Sequence, residues 1–200
     1  MKKYKSIIFD CDGVILNSNK IKTESFKKVL NEFDRFAVKE FIDYHENNGG
    51  ISRYKKLDYF LTNILPKYSS SKVDKKYILL SLLESYGNLC KKALYKSEVA
   101  KNLEKLKSTT HDIPWSIVSG GDQEELREVF KNKNLSKFFE GGIFGSPDKK
   151  IDIIQREKRN GLINYPAIFL GDSKLDHLVA KTLNIDFLFV TQWTDFKDFR

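Results

Sequence analysis

The sequence predicts an α/β fold, in which a doubly wound parallel sheet is interrupted by an all-helical insertion. From Glu98 onward, short apolar runs alternate with amphipathic helical segments, the pattern of parallel strands joined by crossover helices. Residues 17–97, in contrast, show helical periodicity throughout and follow a single short apolar run. We therefore expect a core of residues 1–16 and 98–200 and a helical insertion of residues 17–97.

The first apolar run places two carboxylates at the end of a predicted strand. Ile7, Ile8 and Phe9 read as a buried strand, and Asp10 and Asp12 follow it directly. In an open parallel sheet ligands bind at the carboxyl ends of the strands, so this pair is placed for chemistry. Gly13 lets the chain turn sharply beside a ligand. The alternative is a strand that ends in an acidic turn without function.

The insertion is predicted to consist of helices separated by one marked loop. Apolar residues at three- and four-residue steps predict helices over residues 17–33, 37–44, 57–65 and 73–93, the third of them ended by Pro66. The segment HENNGGISRYKK, residues 45–56, breaks this pattern with two asparagines and two glycines, which indicates a loop.

The second half is predicted to alternate strands and helices. The apolar runs are WSIVS, GGIFGS, AIFLG and FLFV, and the helices cover residues 99–107, 123–133 and 150–160 and a segment after Asp176. Ser119 follows the first of these runs and precedes Gly120, Gly121 and a helix. A hydroxyl and free backbone N–H groups at a helix start suit phosphate, although Ser119 could equally be a simple helix cap.

Two further strand ends carry candidate ligands. Lys149 and Lys150 stand at a helix entrance, and the register from Pro147 favours Lys150, with Lys149 in reserve and solvent exposure as the alternative. Asp172 follows the strand AIFLG, and Asp176 lies four residues further on. Carboxylates gathered beside Asp10 would suit Mg²⁺, whereas the alternative is a helix cap with ordinary surface aspartates.

Composition limits the classes of function. The 200 residues are 40% hydrophobic and 31% charged, which is typical of a folded protein with a sizeable core. The net charge of +8 comes from scattered lysines and favours anionic ligands, and RNA binding would rest on this charge alone. Two distant cysteines and the lack of a signal peptide or a long apolar segment predict a soluble cytoplasmic protein without membrane contact.

Four motifs resemble those of the haloacid-dehalogenase-like hydrolase superfamily. DCDGV matches the first motif, SGG the serine of the second, Lys150 the lysine of the third and GDSKLD the fourth. The resemblance covers nearly the whole chain, and the helical insertion corresponds to the cap of members similar to phosphoglycolate phosphatase and β-phosphoglucomutase. Dehalogenase members lack the aspartate found here at position 12, so the resemblance implies the phosphatase branch.

The resemblance implies a role for each motif residue. Asp10 would be the nucleophile that forms an aspartyl-phosphate, and Asp12 the general acid and base. Mg²⁺ would be held by Asp10, the backbone carbonyl of Asp12 and Asp172. Ser119 and Lys150 would bind the phosphoryl oxygens. Asp176 would either support the metal or orient Lys150, and both roles stay open.

The resemblance also implies that the cap selects the substrate. Arg53 would bind a second anionic group or sugar hydroxyls, unless it is a solvated helix-start residue, while Asn48 and Gly120 would line the substrate site. His45 is expected at the surface. We expect a Mg²⁺-dependent phosphatase that acts on a small phosphorylated metabolite, most simply a sugar phosphate, and that is a monomer or homodimer without nucleic-acid partners. The alternatives are a β-phosphoglucomutase-like enzyme and a non-catalytic phosphate-binding protein.

Overall fold

The computed structural model describes residues 4–69 and 74–195. Within these residues the strands are β1 (Ser6–Phe9), β2 (Trp115–Asp122), β3 (Ile143–Ser146), β4 (Ala167–Gly171) and β5 (Asp186–Phe189). The helices are α1 (Asn19–Val29), α2 (Arg35–Asn47), α3 (Arg53–Tyr59), α4 (Lys75–Leu94), α5 (Leu103–Thr109), α6 (Gln123–Asn132), α7 (Lys150–Arg159) and α8 (Lys174–Thr182).

The five strands form one parallel sheet in the order β3-β2-β1-β4-β5, which confirms the predicted α/β fold class. Strand β1 lies in the centre, between β2 and β4. Because neighbouring strands run in the same direction, the residues that follow β1, β2 and β4 meet at one edge. The strand order also reverses at β1, so this edge is the switch point where such sheets bind ligands.

Alternate residues of the central strand β1 face the two sides of the sheet. Ile7 and Phe9 belong to one core cluster, which contains Trp115 and Phe130, whereas Ile8 belongs to a second cluster around Phe169. Both faces are therefore covered, as the continuous apolar runs in these strands predict.

Helices α1 to α4 lie between β1 and β2 in the chain. The outgoing and returning segments run side by side: Leu16 and Val99 form an antiparallel bridge, and Ala100 N–H donates to the carbonyl of Ile15 at 2.9 Å. Phe26, Phe41 and other aromatic rings of the insertion pack against one another. The rings of the insertion therefore belong to the same apolar core as Phe9 and Trp115, and the insertion joins the sheet through two adjacent segments of chain.

Several predicted boundaries differ from the observed ones. The helix predicted over residues 99–107 begins at Leu103, because Val99 is occupied in the bridge to Leu16. The third insertion helix was expected to end at Pro66, but α3 ends at Tyr59. A π-helical turn, Phe60–Ile64, follows it, and Pro66 lies in a 3₁₀ turn, Leu65–Lys67. The predicted helix start at Val73 lies outside the described residues.

Two boundaries near the sheet edge also differ. The last crossover helix was expected after Asp176 but begins at Lys174, since Ser173 and Asp176 form a reciprocal capping box. Strand β2 continues through Gly120 and Gly121 to Asp122, with an irregular register after Val118. None of the described helices is long and apolar enough to cross a membrane.

Candidate active site

Asp10 occupies the centre of the sheet edge and is almost fully buried. Its Oδ1 accepts a hydrogen bond from the backbone N–H of Cys11 at 2.7 Å and lies 2.8 Å from Lys150 Nζ. Its Oδ2 has no hydrogen-bond donor among the described residues. Burial raises the pKa of Asp10 well above its ordinary value, and the positive charge of Lys150 opposes this shift. One oxygen is thus held by two donors, whereas the other accepts none from the described residues.

Lys150 links Asp10 to Asp176. Its Nζ donates to Asp176 Oδ1 at 2.6 Å, and both side chains are buried. Burial alone would lower the pKa of Lys150, but the negative charges of Asp10 and Asp176 have the larger effect and raise this pKa above its ordinary value. Lys149, the reserve candidate, is exposed at the cap position of α7. Of the two lysines, only Lys150 is therefore at the site.

Asp176 uses both of its oxygens within the protein. While Oδ1 binds Lys150, Oδ2 accepts hydrogen bonds from the Ser173 hydroxyl at 2.6 Å and the Ser173 backbone N–H at 3.2 Å. The capping box therefore fixes Asp176, and Asp176 in turn holds Lys150 against Asp10.

Asp172 provides a third buried carboxylate at this edge. Carboxylate oxygens of Asp10, Asp172 and Asp176 all lie within 4.8 Å of one another. Asp172 Oδ2 accepts a hydrogen bond from Asn19 Nδ2 at 3.0 Å, and burial raises the pKa of its carboxyl to about 7. A Cβ on Gly13, which has φ 72°, would lie 2.0 Å from Asp172 Oδ2, so only glycine fits there.

Ser119 and Gly120 approach the site from β2. Ser119 is buried, and its Oγ accepts a hydrogen bond from the backbone N–H of Gly121 at 3.0 Å. It lies within the strand and not at the start of α6, whose cap is Asp122, so the alternative that Ser119 is a helix cap is wrong. A Cβ on Gly120 would lie 2.1 Å from the carbonyl oxygen of Gly50, so the insertion loop and the sheet touch here.

Asp12 is held by two side chains from the insertion side. Ser18 Oγ donates to Asp12 Oδ1 at 2.6 Å, and Lys22 Nζ binds Asp12 Oδ2. Burial opposes ionisation, but Lys22 and Ser18 together hold the pKa of Asp12 below its ordinary value. Lys22 was missed at the sequence level. Its position four residues before Phe26, on the apolar face of α1, is a signal that could have identified it.

Cys11 stands between the two aspartates but belongs to the apolar core. Burial raises the pKa of its thiol well above its ordinary value, so the sulfur stays protonated. Cys11 and Cys90 are both free thiols.

A cavity of about 340 Å³ lies between the sheet edge and the insertion. Asp12, Asp172 and Gly120 line it from the sheet side, and Asn48 and Arg53 line it from the insertion side. The cavity therefore joins some of the predicted residues of the sheet edge to those of the insertion, and its size suits a small molecule. The other predicted residues of the edge lie buried and do not line it: Asp10, Ser119, Lys150 and Asp176.

Two of the predicted substrate residues are also tied to the protein itself. Asn48 Nδ2 donates to the carbonyl of Tyr44 at 2.8 Å. Arg53 is buried rather than solvated and forms a two-point contact with Glu125 on α6: Nη1 donates to Oε2 at 3.0 Å, and Nη2 lies 2.7 Å from Oε1. The charge of Arg53 is thus already balanced by a carboxylate of the core.

The insertion contributes a second basic group that sequence reasoning missed. Lys56 on α3 is 3% exposed and lines the cavity. Its Nζ lies 2.7 Å from His45 Nδ1 and 3.1 Å from the His45 carbonyl oxygen. His45 was expected at the surface but is half-buried, because its ring packs on Phe26. This burial lowers the pKa of His45 to about 2.

Comparison with known proteins assigns this architecture to a family. Residues 7–190 match the sequence model of the haloacid dehalogenase-like hydrolases. No curated protein matches the chain.

Many solved structures share the fold at low sequence identity. A predicted phosphoglycolate phosphatase from Haemophilus somnus 129pt is 16% identical, with a TM-score of 0.76 over 96% of this chain and 87% of that chain. A predicted phosphatase from Clostridium acetobutylicum is 19% identical, with a TM-score of 0.69 over 94% and 85% of the two chains. CbbY from Rhodobacter sphaeroides, in complex with phosphate, is 13% identical, with a TM-score of 0.69 over 98% and 91%.

Proposed function

Because the chain belongs to the haloacid dehalogenase-like hydrolases, as its motifs suggested, we propose that it is a Mg²⁺-dependent phosphatase of small phosphorylated metabolites. The observation that carries the proposal is the position of Asp10, which has one oxygen fixed by Lys150 and Cys11 and the other free of donors among the described residues. A carboxylate held in this way is oriented for attack on phosphorus.

In the first step Asp10 attacks the phosphate ester. A bond forms between its carboxylate oxygen and phosphorus, the ester P–O bond breaks, and Asp12 gives a proton to the departing oxygen. Lys150 and Ser119 bind phosphoryl oxygens and stabilise the charge that spreads over them. In the second step Asp12 takes a proton from water, which attacks the aspartyl-phosphate and releases phosphate.

The ion pair between Asp12 and Lys22 bears on these two roles. It holds Asp12 ionised, which is the form that the second step requires of a base. Before the first step Asp12 must take up a proton. The ion pair between Lys22 and Asp12 therefore has to weaken or break when the substrate binds.

The residues at the edge fit Mg²⁺. Three buried carboxylates face one ammonium group, so the cluster holds excess negative charge, and carboxylate oxygens are the ligands that this hard cation prefers. Asp10, Asp172 and the backbone carbonyl of Asp12 would hold the ion, which when bound reduces the repulsion between carboxylate and phosphate. Asp176 has both oxygens engaged, so its role in the proposal is to position Lys150.

The helical insertion, residues 17–97, acts in this proposal as a cap on a core of residues 1–16 and 98–200. The contact between Gly50 and Gly120 and the pairing of Arg53 with Glu125 support a state in which the cap covers the site. A covered site excludes bulk water and commits the substrate to the reaction.

Hydrolysis of p-nitrophenyl phosphate in Mg²⁺ tests the proposal. We expect activity that falls by more than about 10³-fold in Asp10→Asn, because this variant removes the nucleophile. Asp58→Asn, a matched change at an exposed aspartate on α3, should retain the activity. Asp10→Asn as active as the parent protein would contradict the assignment, and release of an isomeric sugar phosphate without free phosphate would favour a mutase.

A further inference from the structure

Lys56 differs from the other largely buried cations that line the cavity. Lys22 pairs with Asp12, and Arg53 pairs with Glu125. Lys56 has no carboxylate within ion-pair distance among residues 4–69 and 74–195, although only 3% of it is exposed. A buried charge without a counter-ion is costly, so an anion supplied from outside would be strongly favoured at this position.

The neighbours of Lys56 leave one of its hydrogens unused. An ammonium group cannot accept a hydrogen bond, so His45 Nδ1 accepts from Lys56, and the ring proton lies on Nε2, which faces Thr23 Oγ1 at 3.1 Å. The His45 carbonyl takes the second donor of Lys56. The third N–H has no acceptor in the described parts of the chain.

The surroundings make this lysine responsive to an added negative charge. Burial, and then the nearby charge of Lys22, lower the pKa of Lys56 to about 7, while Asp12 opposes them. His45 stays neutral and contributes no compensating charge. An anion beside Lys56 would therefore keep it protonated.

We propose that Lys56, oriented by His45, binds a second anionic group of the substrate at the cap end of the cavity. This inference rests on the proposed phosphatase function and narrows it: the substrate is a small phosphate monoester that also carries a carboxylate or a second phosphate. Arg53, which sequence reasoning gave as a candidate for this role, already has its counter-ion in Glu125. A neutral sugar hydroxyl in place of the anion would leave the charge of Lys56 uncompensated.

Two esters of nearly equal size test the proposal. They are the phosphate ester of glycolic acid and the phosphate ester of ethylene glycol, in which a hydroxymethyl group replaces the carboxylate. We expect kcat/KM for the acid to exceed that for the neutral ester by at least about tenfold, the typical effect of a hydrogen bond to a charged group. Ethylene glycol bisphosphate as a third ester shows whether the second anion is a carboxylate or a phosphate.

Lys56→Met keeps the aliphatic stem and removes the charge, so the ratio of the two kcat/KM values should approach one. Lys55→Met is the matched control, since Lys55 is an exposed neighbour on the same helix and does not line the cavity. It should keep the ratio of the parent protein. Equal kcat/KM for all three esters in the parent protein, or an equal loss of preference in both variants, would overturn the proposal.

Binding separates this proposal from the proposed function. Calorimetric titration of Asp10→Asn with the three esters measures their dissociation constants without turnover. If the parent protein hydrolyses neither these esters nor p-nitrophenyl phosphate, the phosphatase proposal fails, whereas tighter binding of the acid or of the bisphosphate than of the neutral ester still supports the Lys56 site. Equal binding of all three esters refutes that site whether or not hydrolysis occurs.

Discussion

Replacing Gly120 by alanine introduces a methyl group at the place where the insertion loop meets the sheet. The added Cβ would lie 2.1 Å from the carbonyl oxygen of Gly50 and 2.9 Å from its carbonyl carbon. Both atoms belong to backbone, so no side-chain rotation relieves the clash. The loop therefore has to withdraw from β2.

The required movement sets the size of the expected effect. Ordinary contact begins at 3.4 Å, so the loop must retreat by about 1 Å, and a misplacement of that size can lower a rate by about 10²-fold. We expect kcat/KM for p-nitrophenyl phosphate to fall by about this factor. The unfolding midpoint should change little, because alanine is compatible with the strand that contains residue 120.

Gly121→Ala is the matched control for this experiment. The atoms nearest to a Cβ on Gly121 belong to the side chain of Leu126, at 3.3 Å, which can adjust by a few tenths of an ångström. It should therefore retain most of the activity. The reasoning is refuted if Gly120→Ala keeps full activity, or if the two variants lose activity equally.

Two further predictions concern stability. Burial lowers the pKa of Lys56 from its ordinary value of 10.5 to about 7. A charged Lys56 therefore lowers the free energy of unfolding by at most about 5 kcal/mol. That cost is complete below pH 7 and disappears as the pH rises towards 10.5, so Lys56→Met should gain stability over the parent protein at pH 6.5 and lose most of this gain by pH 9.5. Denaturant unfolding at both pH values measures it, and an equal gain at the two values would show that the charge is not the cause. Mg²⁺ at 100 times its dissociation constant should stabilise the parent protein by about 2.7 kcal/mol and Asp172→Asn much less, which thermal unfolding with and without chelator measures. An equal shift in both proteins would remove Asp172 from the metal site.

The parts of the site that sequence reasoning identified lie at the ends of strands. Three of these residues come after a strand: Asp10 after β1, Lys150 after β3 and Asp172 after β4. The alternation of apolar runs and helices is enough to place those strand ends at one edge of a parallel sheet. The same reasoning placed Ser119 at the end of an apolar run, although β2 continues beyond it to Asp122. Strand direction therefore determined which side chains meet, without knowledge of packing.

The contacts within the insertion could not be predicted in the same way. Lys56 near the end of α3 meets His45 near the end of α2, and periodicity does not determine how two helices joined by a loop are placed relative to one another. Arg53 and Glu125 are 72 residues apart in the sequence, so their pairing depends on how the insertion sits on the core. The chain contains 35 lysines and arginines, so charge alone does not distinguish the buried basic side chains from the exposed ones.

Trapping of the phosphorylated protein tests the central claim most directly. The protein is mixed with a hydrolysed phosphate ester and Mg²⁺, quenched in acid within milliseconds, digested and analysed by mass spectrometry. We predict a hydroxylamine-sensitive phosphoryl group on Asp10, in the peptide that contains residues 6–18, and its absence from Asp10→Asn. A phosphoryl group on a different residue, or an active protein that forms none on Asp10, would contradict the account.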